Sequence, residues 1–174
     1  MGDLVVRVAR LRVRLGFVTA AVVLLLARPS WGSIAAGAAI ASVGEALRVW
    51  AAGHLEKSRE VTKSGPYRWF RHPLYVGSSI VGAGVCVAAG SVVVAAVVLV
   101  YLTATLRAAV VTEERFLRGA FGTEYDDYCQ GRSVAPARPF SWDRAWRNRE
   151  WRAVLGLGAA LALLALKALL LPRV

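Results

Sequence analysis

Long apolar blocks alternate with short polar segments along most of this 174-residue chain. We interpret the blocks as five membrane-spanning helices, because crossing a bilayer takes about 20 apolar residues and shorter blocks are accommodated by thinning or snorkelling. The fold expected is all-α: a polytopic membrane protein with about five transmembrane helices and a cytoplasmic cap. The predicted spans cover about 13–27, 31–53, 74–89, 92–121 and 153–171.

The chain is expected to form a single domain over residues 1–174, since its length suits one domain. Within it we distinguish N-terminal helices (1–53), a motif-bearing catalytic region (54–140) and a C-terminal transmembrane helix (151–172). In the first part, Arg7, Arg10 and Arg14 fall on one helical stripe opposite Val and Leu. This stripe is typical either of an amphipathic helix in the headgroup region or of the cytoplasmic end of the first span.

The charge distribution predicts how the chain lies in the membrane. Residues 1–14 carry four Lys or Arg, 54–73 carry five and 113–152 carry eight, whereas the Gly90–Ser91 turn carries none. Because basic loops stay on the cytoplasmic side, the N-terminus should be cytoplasmic and the C-terminus outside, in what is expected to be a bacterial inner (plasma) membrane. The net charge of +11 comes from residues that flank apolar runs, so the expected partners are membrane lipids and not nucleic acid.

The segment Gly65–Gly77 is the most informative in the chain and reads GPYRWFRHPLYVG. It places two Arg, a His and two Tyr where the chain enters an apolar run, and polar groups at that depth are functional candidates because burying them is costly. Pro73 suits a helix start, and free backbone donors there favour an anionic group. The aromatic rings offer faces for a flat ligand, although an interfacial aromatic belt has the same composition.

A second polar cluster, Glu113–Glu114, stands at the far end of the next apolar block and could face the first across a helical hairpin. Adjacent residues point about 100° apart on a helix, so normally at most one acid faces inward. A solvated helix end is the alternative. Arg107 fits a snorkelling cation as well as a site residue, and segment 121–128 is interpreted as a lid over the site.

Together these motifs resemble the isoprenylcysteine carboxyl methyltransferase family, which is grouped with the membrane phospholipid methyltransferases. The resemblance rests on the Gly65–Gly77 string, on Glu113–Glu114 followed by Leu117, and on Phe121-Gly122-x-Glu124-Tyr125-x-x-Tyr128. It covers about residues 54–140. It implies a membrane-embedded enzyme that uses S-adenosylmethionine to methylate a lipophilic acceptor, which is a small molecule or a lipid, through a carboxylate or another polar head.

The resemblance also implies roles for individual residues. The cofactor-binding residues it implies are His54, Arg59, Glu60, Val61, Thr62, Tyr67, His72, Pro73, Leu74, Tyr75, Gly77 and Glu113. Arg71, Arg107 and Glu114 are the candidate catalytic residues, with either Arg71 or Arg107 expected to orient the acceptor. Family members that methylate a carboxylate have an Arg one turn before the first Glu, where this chain has Ala109. A helix after the motif region is a second departure.

Two rival functions remain open at this stage. Membrane reductases of the sterol reductase type share a similar Arg-His-Pro-x-Tyr stretch and bind NADPH, and a non-catalytic lipid-binding membrane module would bind neither cofactor. A metal site is not expected, because the two His and two Cys form no ligand grouping. The identity of the acceptor, the atom that is methylated and the oligomeric state are left open by the sequence.

Overall fold

The computed structural model describes residues 2–134 and 138–171, with side chains for residue 11 and for residues 13 onward, and this part of the chain is helical throughout, with no strand. The helices are α1 (Gly2–Leu26), α2 (Trp31–Ala52), α3 (Pro73–Ala89), α4 (Val92–Phe121), α5 (Thr123–Cys129), α6 (Trp142–Arg147) and α7 (Trp151–Leu170), with one 3₁₀ turn at Gly65–Arg68. The all-α membrane fold predicted from the sequence is thereby confirmed.

The five predicted spans correspond to the five long helices. By length and composition, α2, α4 and α7 can each cross a membrane, while the apolar part of α1 (Val13–Leu26) and α3 are shorter apolar helices. The basic N-terminal stretch is continuous with the first span in α1. The side chains of Arg7 and Arg10, which define the predicted stripe, lie outside the described part.

The closest pair of helices is α2 and α3, which contact each other through glycine residues. A Cβ atom on Gly44 would lie 2.7 Å from the carbonyl oxygen of Gly77, and one on Gly84 would lie 2.6 Å from the carbonyl oxygen of Gly37. Such close approach of backbones is how small residues stabilise helix pairs in membranes. The pair is therefore a rigid wall, from which α4 diverges.

The α3–α4 hairpin turns at the connection predicted from the sequence. Gly90 ends α3 in the left-handed conformation (φ 59°, ψ 33°), and the Ser91 side chain caps α4 by accepting a hydrogen bond from the backbone N–H of Val94. At 30 residues, α4 is about 45 Å long, well beyond the bilayer core. Its last turns therefore carry Glu113 and Glu114 to the membrane surface beside the start of α3.

Hydrogen bonds from Asn148 and from Lys167 connect the C-terminal part of the chain to α2 and α1. Asn148 donates hydrogen bonds to the carbonyl oxygens of Ala52 and Leu55, each at 2.9 Å, and thereby caps the end of α2. At the opposite end of α7, the ammonium of Lys167 donates to the last carbonyls of α1, those of Leu24 (2.6 Å) and Leu25 (2.8 Å). The fifth span is thus bonded to the first two.

Candidate active site

A cavity of about 920 Å³ lies between α3 and α4 at the end where the two polar clusters meet. The segment 55–62 forms one wall and α5 covers part of it. Its volume lies in the upper part of the range typical of small-molecule sites. The half beside α5 is polar, and the half that runs along α4 toward Leu102 is mainly apolar.

His72 joins the two clusters. Its Nε2 lies 3.3 Å from a carboxylate oxygen of Glu114, and its Nδ1 lies 3.7 Å from one of Glu113. Both acids come from α4, whereas His72 immediately precedes α3. Tyr75 stacks on the imidazole, with ring centroids 5.5 Å apart. The two distant sequence motifs therefore form one cluster, as expected for a shared ligand.

The electrostatics of the cluster favour a protonated histidine. Burial lowers the pKa of His72, but hydrogen bonds to Glu113 and Glu114 outweigh it and raise the pKa above the ordinary value. Nearby Tyr67 is buried, and burial followed by the charge of Glu113 raises its phenol pKa far above normal. The site thus places an imidazole with a raised pKa between two glutamates, beside a phenol that stays neutral at physiological pH.

The lid predicted over segment 121–128 corresponds to α5 and its contacts. Tyr128 donates a hydrogen bond of 2.8 Å to the carbonyl oxygen of Tyr67, and Lys63 pairs with Glu124 at 2.8 Å. Tyr125 and Tyr128 both line the cavity. Burial raises the pKa of Tyr128 to about 12, so its hydroxyl remains a donor at any physiological pH. These contacts hold α5 over the polar half.

The cavity wall formed by segment 55–62 is held in place by Arg138, from the C-terminal part of the chain. Arg138 binds both carboxylate oxygens of Glu60, one of them at 2.7 Å, and this pairing raises the pKa of the guanidinium. Within the wall, the Thr62 hydroxyl accepts a hydrogen bond from the backbone N–H of Glu56 at 3.2 Å. The segment is therefore ordered by bonds from two directions before any ligand binds.

Most of the candidate residues lie at this cavity. Those that line it are Glu60, Val61, Thr62, Tyr67, Arg71, His72, Pro73, Leu74, Tyr75 and Glu113. Five others do not: His54, Arg59, Gly77, Arg107 and Glu114. Glu114 lies just outside the wall, yet it contacts His72, Arg71 (4.0 Å) and Arg118 (3.5 Å). One acid of the pair therefore faces the cavity and both reach the histidine.

The expectation that Arg107 orients the acceptor does not match its position. Arg107 is exposed on α4, whereas Thr105 and Ala109 on the same helix are buried at the cavity. Residues two apart on a helix point about 200° apart, so a helix that presents 105 and 109 to the cavity turns 107 away. Arg59 is exposed as well.

His54 and Gly77 lie beside the cavity and do not line it. His54 is buried, its Nδ1 lies 3.1 Å from the Ser64 hydroxyl, and its ring packs beside Gly65, which has a positive φ of 59°. Burial, followed by the charges of Arg144 and other nearby arginines, lowers its pKa and keeps it neutral. Gly77 faces α2, where a Cβ would lie 2.5 Å from Cγ of Arg48.

Arg48 is a candidate cavity residue that the sequence analysis missed. It lies on α2, its side chain crosses α3 at Gly77, and it lines the cavity. The signal was present in the sequence, since Glu45 and Arg48 interrupt an otherwise apolar span and charges inside a span are functional candidates. Ser78, Thr105 and Thr112 are further polar wall residues that lay outside the motifs.

Comparison with known proteins gives one family match and two related proteins. Residues 17–124, more than half of the chain, match the phospholipid methyltransferase family. The cobalt-zinc-cadmium resistance protein CzcN of Cupriavidus metallidurans is 34% identical over 96 residues, and the nickel-cobalt-cadmium resistance protein NccN of Alcaligenes xylosoxydans is 32% identical over 96. Each alignment covers 54% of this chain but only 43% of the relative. No solved structure shows a significant match.

Proposed function

The chain belongs to the phospholipid methyltransferase family, a family of membrane methyltransferases, and we propose that it transfers the methyl group of S-adenosylmethionine to a lipophilic acceptor at the cytoplasmic face of the membrane. The single observation that carries this proposal is the joining of His72 and Glu113 in one cavity with the wall at 55–62. The cavity is large enough for two ligands side by side.

The polar half of the cavity suits the cofactor. S-adenosylmethionine carries a carboxylate, an ammonium, ribose hydroxyls and a flat adenine, in addition to the sulfonium that supplies an activated methyl group. We assign the carboxylate to the cations around His72, with Lys57 and Arg71 on either side, and the ammonium or the ribose to Glu113. Tyr67 and Tyr75 provide ring faces. The chain supplies a matching group for each part of the cofactor.

The apolar half suits the acceptor. Leu102, Leu106 and Ala109 of α4 line it at membrane depth, so a hydrocarbon chain can enter laterally from the bilayer. Methyl transfer from a sulfonium is an in-line displacement: the acceptor atom bonds to the methyl carbon as the carbon–sulfur bond breaks, and S-adenosylhomocysteine leaves. A carboxylate acceptor needs no proton transfer, whereas an amine or hydroxyl must also lose a proton to water or to a carboxylate of the site. Alignment and exclusion of water are the other requirements. The residues of α5 exclude water from the polar side, and the walls of α3 and α4 align the acceptor.

Two measurements test this function. Isothermal titration of the purified protein with S-adenosylhomocysteine should give saturable binding that weakens about tenfold or more in Glu113→Gln, because a charge-assisted hydrogen bond is lost. Incubation with methyl-labelled S-adenosylmethionine and a total lipid extract should place label in the lipid phase. Asp143→Asn, an exposed acid that does not line the cavity, is the matched control and should bind like wild type.

The rival functions give different results in the same assays. A membrane reductase would bind NADPH and not S-adenosylhomocysteine, and a lipid-binding module would bind neither. Either outcome would refute the proposal. The proposal includes an orientation in a bacterial inner membrane with the N-terminus in the cytoplasm. This orientation is supported by the excess of basic residues in 1–14, 54–73 and 113–152.

A further inference from the structure

A charged cluster lies behind the apolar half of the cavity and belongs to three helices. The Nη2 of Arg48 (α2) lies 2.6 Å from a carboxylate oxygen of Glu150, the residue immediately before α7. Its Nε lies 3.4 Å from Glu45, and its Nη1 donates to the hydroxyl of Ser78 on α3. Glu45 and Glu150 are only 7% and 6% exposed. Groups this buried in a membrane domain call for a functional explanation.

The register of the hairpin places this guanidinium opposite Ala109. Glu113 lies beside His72 and Tyr75, and α3 and α4 are antiparallel. About one helical turn deeper in the membrane than Tyr75 and Glu113 lie Ser78 on α3 and Ala109 on α4. Both of these residues line the cavity. Arg48 thus reaches, from α2, the level of the cavity one turn deeper than Glu113.

On the basis of the proposed function, we infer that Arg48 positions the polar head of the acceptor, and that α7 is part of the site because Glu150 holds Arg48 in place. Family similarity ends at residue 124, so α7 lies outside the shared region. Gly77 permits the arrangement, since any side chain there would collide with the stem of Arg48. Arg48 spans from the buried carboxylates to the cavity wall and presents N–H donors to the acceptor.

The charges of the cluster restrict the acceptor's chemistry. One guanidinium faces two carboxylates, which leaves one negative charge in surplus when both acids are ionised. The Oε1 atom of Glu45 is buried and has no hydrogen-bond partner. An anionic head would add a second uncompensated charge in a medium of low dielectric constant. The head that fits has an oxygen that accepts a hydrogen bond from Arg48, and with both acids ionised it is neutral or zwitterionic overall.

The test separates binding of the acceptor from binding of the cofactor. In Arg48→Gln and Glu150→Gln, the concentration of lipid extract that gives half-maximal methyl transfer should rise about tenfold, while the Kd of S-adenosylhomocysteine stays within about twofold of wild type. Because Glu150 acts through Arg48, the double variant should resemble Arg48→Gln alone. Asp143→Asn again serves as the control for acid-to-amide exchange. The labelled product should resist mild base.

Each other result overturns the inference. Parallel losses of cofactor and acceptor binding, additive effects in the double variant, or an unchanged Glu150→Gln enzyme would show that the cluster is only structural. Release of label as methanol by mild base would identify a methyl ester and hence an anionic carboxylate acceptor. Ser78→Ala removes one bond to Arg48 without changing charge, and it provides the same comparison if a charge variant does not fold. Wild type that binds no S-adenosylhomocysteine would instead refute the proposed function itself.

Discussion

At the scale of single residues, His72 has the most informative surroundings, because carboxylates lie beside both of its ring nitrogens. Its raised pKa means that the folded protein binds a proton more tightly than the unfolded chain does. The stability that results is fully present below about pH 6.5, the ordinary pKa of histidine, and is lost as the pH rises through the higher value in the folded state. Glu113, Glu114 and the stacked Tyr75 are the groups that face the ring.

We therefore expect the thermal midpoint of the wild type to fall as the pH is raised from about 6 to 9, and His72→Gln to remove much of that fall. Scanning fluorimetry across this range measures it. His54→Gln is the matched control, because the lowered pKa of His54 makes its contribution present at high pH and lost as the pH falls. An equal alkaline decline in wild type and His72→Gln would contradict the prediction.

Gly77 should be intolerant of the smallest addition. A Cβ there would lie 2.5 Å from Cγ of Arg48 and 2.7 Å from the carbonyl oxygen of Gly44, and a backbone atom cannot move aside without separating α2 from α3. Gly77→Ala should lower the free energy of unfolding by about 1–3 kcal/mol. Gly119→Ala, in the last turn of α4 with nothing within 4 Å of the added Cβ, should instead leave it unchanged or raise it by up to about 0.5 kcal/mol. Equal midpoints for the two variants would argue against this packing.

At the scale of helices and turns, the sequence was sufficient where local chemistry decides. Gly90 and Ser91 specify the α3–α4 hairpin, since one takes the left-handed conformation and the other caps the next helix. Residues that share a face of α4 were harder to assign. The angle of about 100° between neighbours predicted that at most one of Glu113 and Glu114 faces inward, and Glu113 is the one that lines the cavity. The same rule, applied to Arg107 relative to Glu113, turns Arg107 away from the cavity.

We expect α5 to move away from the cavity without unfolding of the rest of the domain. Its contact with the Gly65–Arg68 turn depends on the hydroxyl of Tyr128. Tyr128→Phe removes the hydrogen bond to the carbonyl oxygen of Tyr67, which is worth about 1 kcal/mol. We expect backbone amides of α5 to exchange with deuterium several-fold faster in this variant, while those of α2 are unchanged. Asp127→Asn, which affects only an exposed pair with Arg132, is the control on the same helix.

If α5 exchanges at the wild-type rate in Tyr128→Phe, the ion pair of Lys63 with Glu124 holds it without help from the hydroxyl. An exposed pair of this kind is normally worth less than a buried hydrogen bond, so that result would be unexpected. If α2 also exchanges faster, the contact stabilises the whole domain, and α5 is not a separable cover for the cavity.

At the scale of the whole molecule, the sequence could not supply the contacts that complete the site. Arg48 and Glu150 are far apart in the sequence, and neither belongs to a local motif. Their pairing requires that α7 dock against α2, which is decided by the packing of many side chains and by the bonds of Asn148 to the end of α2. Apolar periodicity reveals that α7 spans a membrane but not which helix it contacts. The motif-bearing half was predictable because its functional residues are close in sequence to the turns that position them.

The orientation in the membrane follows from charge and can be tested with the two native cysteines. Cys129 lies in α5 beside the basic segments that we expect to be cytoplasmic, whereas Cys86 lies in α3 near the opposite end. In Cys86→Ala, a membrane-impermeant maleimide should therefore label Cys129 in inside-out vesicles and not in right-side-out vesicles. Cys129→Ser, which should not be labelled from that side, controls for labelling elsewhere. Labelling of Cys129 only in right-side-out vesicles would place the cavity mouth outside the cell, where S-adenosylmethionine is not supplied, and the proposed reaction could not take place there.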